Sequence, residues 1–211
     1  MADTVTVTAM GKPRRVQSEE VRRTQILASA RTLIAEQGYE RTTTAQIAKR
    51  AGISEGTIYN YFPSKVAIIS ALKEQAMRAV LDGGFARARP DMQGSMLIRA
   101  MLEGAFAAAH ENADLMRAFT LTVELREHMH GDACEPEETY ENSVEELRQF
   151  FSRQQETGMI PRSVDLAVMS RLILGTVDRA MDEVIVGGHT EQEATYIDLM
   201  VRMFSRALYV E

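Results

Sequence analysis

The chain has one cysteine, Cys134, in 211 residues, so no internal disulfide can brace it, and the usage fits a reducing cytoplasm. Aromatic residues make up 6%, and 5 prolines and 13 glycines are scattered rather than clustered. That scarcity disfavours β-rich and low-complexity classes and predicts an all-helical protein. No apolar run approaches the roughly 20 residues of a membrane-spanning helix. The start, MADTVTVTAM, lacks an apolar segment behind a basic one, so a leader is not expected. Catalytic signatures are missing as well: there is no nucleophile elbow, phosphate-cradling glycine loop or HExxH. The sequence therefore predicts a cytoplasmic non-enzyme without cofactor, membrane or metal partner.

What is present is a large apolar share, 45%, on a chain long enough to bury a core. The net charge of −6 hides an asymmetry. Residues 1–65 carry 10 Lys and Arg against 6 Asp and Glu, a surplus of +4, and the remainder is at −10. A basic front on an acidic body suits a small nucleic-acid head joined to a larger domain.

Residues 1–17 show no periodicity and contain GKPRR, which predicts a flexible arm whose Arg14 and Arg15 either enter a minor groove or remain a free basic tail. A first helix begins near Ser18, buries Ile26, Leu27, Ala30, Leu33 and Ile34, and stops at Gly38. Thr43 and Gln46 then stand at capping-box spacing before a short helix carrying Ile47, Ala48 and Ala51. Gly52 ends that helix, Ile53 pins the turn, and Ser54 caps a third helix, EGTIYNYF. Its inward residues are Ile58 and either Tyr61 or Phe62, and Pro63 keeps it to about two turns. Two short helices around a glycine turn, behind a longer one, form a helix-turn-helix unit.

The stretch RTQILASARTLIAEQGYERTTTAQIAKRAGISEGTIYNYFPSKVAIISAL, residues 23–72, resembles the DNA-binding head of the tetracycline-repressor (TetR) family. A weaker echo, ETGMIPRSVDLAVMSRLILGTVDRAMDEVI over 156–185, is similar to that family's turn into its penultimate helix. The resemblance implies an all-α homodimer with a three-helix head on a larger helical body that takes a small effector. It divides the chain into an arm at 1–17, a head at 18–65 and an effector-binding and dimerisation body at 66–211.

Recognition helices enter the major groove by their N-terminal end, which places Ser54, Glu55, Gly56 and Thr57 at base edges. Glu55 has two readings at this level: it accepts from a cytosine amino group, or it favours the positive end of the helix. Gly56 costs up to about 1 kcal/mol of helix propensity, which suggests close approach to DNA. Tyr59 and Tyr61 can rest a ring on the protein while a hydroxyl reaches a phosphate. The resemblance implies phosphate contacts for Lys65, Thr44 and the tyrosine pair, with Thr43 beside Thr44; Asn60 is either solvated or in contact with DNA.

In the body, KVAIISALKEQAMRAVLDGG predicts a connecting helix ending at Gly83 or Gly84. Ser95 or Asp91, then Asn112, are the expected caps of the next two helices, and Thr190 with Glu193 predicts another capping box. The last two helices are apolar on more than one face, with Leu166, Met169, Ile173, Val177, Ala180 and Val184 on one and Leu174, Met181 and Ile185 beside it. Such helices are buried on two sides; the resemblance implies a four-helix dimer interface aided by Gly175, and a thick monomer core is the alternative. Phe106, Met116, Phe119, Tyr140 and Phe150 are candidate walls of an effector pocket, with Glu124 and Asp178 as polar anchors. The alternative functions are a metal sensor using His128, His130, Asp132 and Cys134, or an enzyme with an unrecognised site.

Overall fold

In the computed structural model, which describes residues 19–120 and 136–209, every regular element is helical. Helix α1, Glu19–Gln37, buries Ile26, Leu27, Ala30, Leu33 and Ile34 on one stripe. It ends at Gly38, whose φ of +82° lets its N–H reach Ile34 O at 2.8 Å. Helix α2, Thr44–Arg50, starts with the expected box: Gln46 N–H donates to Thr43 Oγ1 and Thr43 N–H to Gln46 Oε1. Helix α3 is Glu55–Tyr59, with Ser54 accepting from Thr57 N–H. Helix α4, Lys65–Arg87, follows Pro63 and is capped by Ser64.

Helices α5, Gly94–Glu111, and α6, Ala113–Thr120, precede α7, Pro136–Glu156. Helix α8, Leu166–Met181, widens over Asp182–Val186 into one π turn, in which Gly187 N–H reaches Asp182 O at 2.8 Å. Helix α9 is Glu193–Leu208.

Two cores share α4. Ile68, Ile69, Leu72 and Ala76 join Ile26, Ile47, Ile58 and Phe62 in the head core, which also takes Leu115 from α6. Further along α4, Val80 and Phe85 pack on the body core of Phe106, Phe151, Ile160, Val177, Val184 and Phe204. A helix of 23 residues, about 34 Å long, thus belongs to both parts.

Four local expectations are corrected. Gly83 and Gly84 do not end α4; they lie inside it, where α4 crosses α5 closely enough that a Cβ on Gly104 would sit 2.2 Å from Gly83 O. Gln93, with no side-chain bond, precedes α5 in place of Ser95 or Asp91. Asn112 closes α5, its Nδ2 donating to Ala108 O at 2.7 Å, rather than capping α6 with its side chain. The Thr190 and Glu193 box is absent because Thr190–Gln192 forms a 3-10 turn leading straight into α9. Among the described residues no helix is long and apolar enough to cross a membrane. Residues 1–17 and Ser18 lie outside the described residues.

Candidate nucleic-acid interface

The turn between α2 and α3 is held from three directions. Gly52, at φ +66°, lets the chain reverse, Ile53 N–H donates to Ala48 O at 3.0 Å, and Gln25 Nε2 from α1 donates to Ala51 O at 2.8 Å. Beneath the turn, Ala48 and Ile58 are buried at 2% and 0% exposure, so the two short helices cross on small and branched side chains. This fixes α3 against a scaffold that its five residues could not supply alone.

Outward, Ser54, Glu55, Gly56, Tyr59 and Asn60 are exposed and Thr57 is half-buried, so these positions share one solvent-facing end. The Ser54 and Thr57 hydroxyls are 2.7 Å apart. Gly56 has nothing nearer to an added Cβ than Ser54 Oγ at 4.0 Å, so no contact within the chain requires glycine there. Thr44 Oγ1 donates to Glu55 Oε1 at 2.5 Å and lies 3.4 Å from the Tyr59 hydroxyl. Thr43 is engaged in its capping box.

The open choice between Tyr61 and Phe62 resolves toward Phe62, which is 2% exposed, while Tyr61 packs at the core edge. Arg23 explains the geometry: its Nη1 donates to Tyr61 O at 2.8 Å and its guanidinium lies 4.4 Å from the Phe62 ring centroid. Lys65 opens α4 with its Nζ 3.7 Å from the Tyr39 ring centroid. The ring offers the cation a partner worth about 0.5–1 kcal/mol at an exposed site, which offsets its unfavourable place at a helix N-terminus. Spacing along the chain did not single out Arg23, Gln25 or Tyr39, because each acts across 26 residues or more.

The body candidates divide. Phe106 is fully buried and Met116 and Phe150 pack against the same core, Phe150 lying 5.2 Å from Phe85 between ring centroids. Tyr140 stands at the α7–α8 contact, its hydroxyl donating to Arg171 O at 3.4 Å. Asp178 is an exposed α8 residue whose pKa is raised, first by the crowding that removes water and then by the Asp182 charge, with Lys73 acting the other way. The side chain of Phe119, and Glu124, His128, His130, Asp132 and Cys134, lie outside the described residues.

On α8 and α9 the residues the periodicity singled out, Leu166, Ile173, Val177 and Ala180, form the core of the single chain. The apolar residues left outward are Val168, Leu172, Leu199 and Met203, 47 to 56% exposed. Gly175 sits among them with open space above it.

The family model for bacterial regulatory proteins, tetR family, matches residues 26–72, the segment that forms this head. Nucleoid occlusion factor SlmA of Haemophilus influenzae (strain PittGG) is 37% identical over 100 residues, 47% of this chain and 46% of that protein. The chain spans about half the length of the curated relatives of this kind that it matches. The HTH-type transcriptional regulator UidR of Escherichia coli (strain K12) is 30% identical over 154 residues, 72% of this chain and 76% of UidR. In fold, the chain matches Thermus thermophilus FadR, a TetR family transcriptional repressor solved with lauroyl-CoA, at a TM-score of 0.68 and 18% identity, covering 90% of this chain and 96% of FadR. The match to UidR over most of both chains, on top of the head segment, shows that this chain belongs to the TetR family of bacterial regulatory proteins.

Proposed function

We propose that the protein is a cytoplasmic, ligand-responsive transcriptional regulator, a repressor released from a palindromic operator by a small, largely apolar effector, and not an enzyme. The observation that carries the reading is the α2–turn–α3 unit, whose polar N-terminal end faces solvent while Ile47, Ala48 and Ile58 beneath it are buried. Ser54, Glu55, Gly56 and Thr57 meet bases, Asn60, Tyr61, Lys65 and Thr43 surround the backbone contacts, and Thr44 and Tyr59 stand beside Glu55.

Two copies pair through α8 and α9. Val168, Leu172, Leu199 and Met203 would otherwise leave an apolar strip in water, and Gly175 permits close approach of a partner helix. A dimer brings two recognition helices to two half-sites, hence a palindrome. The reading keeps a DNA-binding head at 18–65 and an effector and dimerisation body at 66–211, although the head core also draws on Ile68, Ile69, Leu72, Ala76 and Leu115 from beyond residue 65.

The effector enters the body near Phe106, Met116 and Phe150. FadR, bound to lauroyl-CoA, is a precedent for a ligand with a long apolar chain in this fold. Coupling to the head runs through α4 and through α6. In α6, Asp114 and the preceding Glu111 O meet Arg31, Leu115 enters the head core, and Arg117 Nε donates to Ile185 O at 3.1 Å in the π turn. An effector shifts this equilibrium only if it binds one head spacing better than the other.

Selecting random duplexes with the full-length protein tests the reading, followed by a screen of fatty acyl and aromatic compounds for release. Enrichment of an inverted repeat and its release by an apolar compound are expected. Retention without any sequence enrichment would argue against a regulator.

A further inference from the structure

Three groups meet on the exposed side of the head: Thr44 opens α2, while Glu55 opens and Tyr59 closes α3. Thr44 Oγ1 donates to Glu55 Oε1 at 2.5 Å, and the direction is fixed because an ionised carboxylate has no proton to give. Thr44 has a single hydroxyl proton, so the 3.4 Å contact with Tyr59 runs from the tyrosine hydroxyl to Thr44 Oγ1. The order Tyr59 to Thr44 to Glu55 ends on a carboxylate whose other oxygen, Oε2, makes no hydrogen bond to the described residues.

This arrangement conflicts with a phosphate role for Thr44. A hydroxyl already donating to Glu55 cannot also donate to a phosphate, and the adjacent negative charge repels one. A carboxylate held at the N-terminal end of a recognition helix is tolerated against DNA only where it meets a donor. In the major groove the donors are cytosine N4 and adenine N6. Adenine N6 lies beside the N7 acceptor, which repels a carboxylate, whereas the cytosine edge presents its amino group without a neighbouring acceptor on the same base.

We infer that Glu55 selects one cytosine in each half-site by accepting from its N4 amino group, and that Thr44 is the positioning residue that aims the carboxylate. The inference rests on the DNA-binding reading above and adds to it a base and a division of labour. The 2.5 Å bond restricts the carboxylate rotamer, and Tyr59 stiffens Thr44 in turn.

The test uses the full-length protein and the inverted repeat recovered by selection, with each C·G pair changed symmetrically in both half-sites. Wild type is expected to lose about 10-fold or more in affinity at one such pair, and Glu55→Ala to bind the original and changed duplexes alike. Glu55→Gln should move the preference at that pair toward adenine, which glutamine reads through N6 and N7. Thr44→Val should blunt discrimination at that pair alone and add nothing in the Glu55→Ala background, while Thr44→Ser, which keeps the hydroxyl, retains it. Thermal melts of each variant separate these outcomes from loss of fold. Unchanged base preference in Glu55→Ala, or a Thr44→Val loss equal on all duplexes and independent of Glu55, overturns the inference and leaves the regulator reading standing. Failure to recover any inverted repeat overturns both.

Discussion

Replacing Gly104 by alanine tests the helix crossing on which the head-to-body geometry depends. Its added Cβ would lie 2.2 Å from Gly83 O, 2.9 Å from Gly83 C and 3.1 Å from Arg87 Cγ. The first two are backbone atoms of α4, so they recede only if the helices move apart by about 1 Å, and overpacking of this kind costs about 1–3 kcal/mol. Against it stands the gain of about 1 kcal/mol in helix propensity when glycine becomes alanine inside a helix. With a backbone oxygen as the obstacle the cost falls at the upper end, leaving a net loss of about 2 kcal/mol. In a chain of this size that is a fall of about 4–8 °C in Tm. The assay is circular dichroism melting at matched protein concentration, since association also shifts Tm. A Gly104→Ala protein melting at or above wild type would refute the close crossing.

Other outcomes follow from the same structure. Leu172→Glu with Met203→Glu should convert a dimer to a monomer in sedimentation velocity while preserving helicity, because both side chains are exposed within one chain; an unchanged dimer would exclude this face. Lys65→Ala should weaken binding to every duplex and lower the salt slope by about 1 for each phosphate the lysine no longer neutralises; equal affinity at all salt concentrations would remove the phosphate role. Tyr209 is buried and donates to Gln154 Oε1 at 2.5 Å; burial pushes its pKa up to about 12, although the Gln154 bond opposes this. The unfolded phenol ionises first, near pH 10, so this contribution to stability is complete below pH 10 and declines by up to about 3 kcal/mol as pH rises to 12. Tyr209→Phe should lack that decline in urea melts, and an identical alkaline profile would contradict the assignment.

The head was legible because its signals are local. The Thr43 and Gln46 box, the Gly38 and Gly52 stops and the Ser54 cap each operate within about four residues, and each forms as the spacing predicts. The same local rules failed where tertiary packing decides. Gly83 and Gly84 looked like a stop, yet the approach of α5 is what requires glycine there, and no pattern along α4 records that neighbour. The two readings of Glu55 omitted Thr44 because the bond spans 11 residues around a turn. Periodicity on α8 found the inner face, Ile173 and Val177, but missed Val168 and Leu172 outside it, since a helix apolar all round does not reveal which side its own chain covers.

The most direct test of the central claim is a fluorescence anisotropy titration of the selected duplex with full-length protein between 50 and 200 mM salt. Two protomers per duplex, half-sites about one helical turn or a multiple apart, tight binding relative to a shuffled duplex, and affinity that falls steeply with salt are expected. Equal binding to selected and shuffled duplexes, or none to either, would contradict the claim.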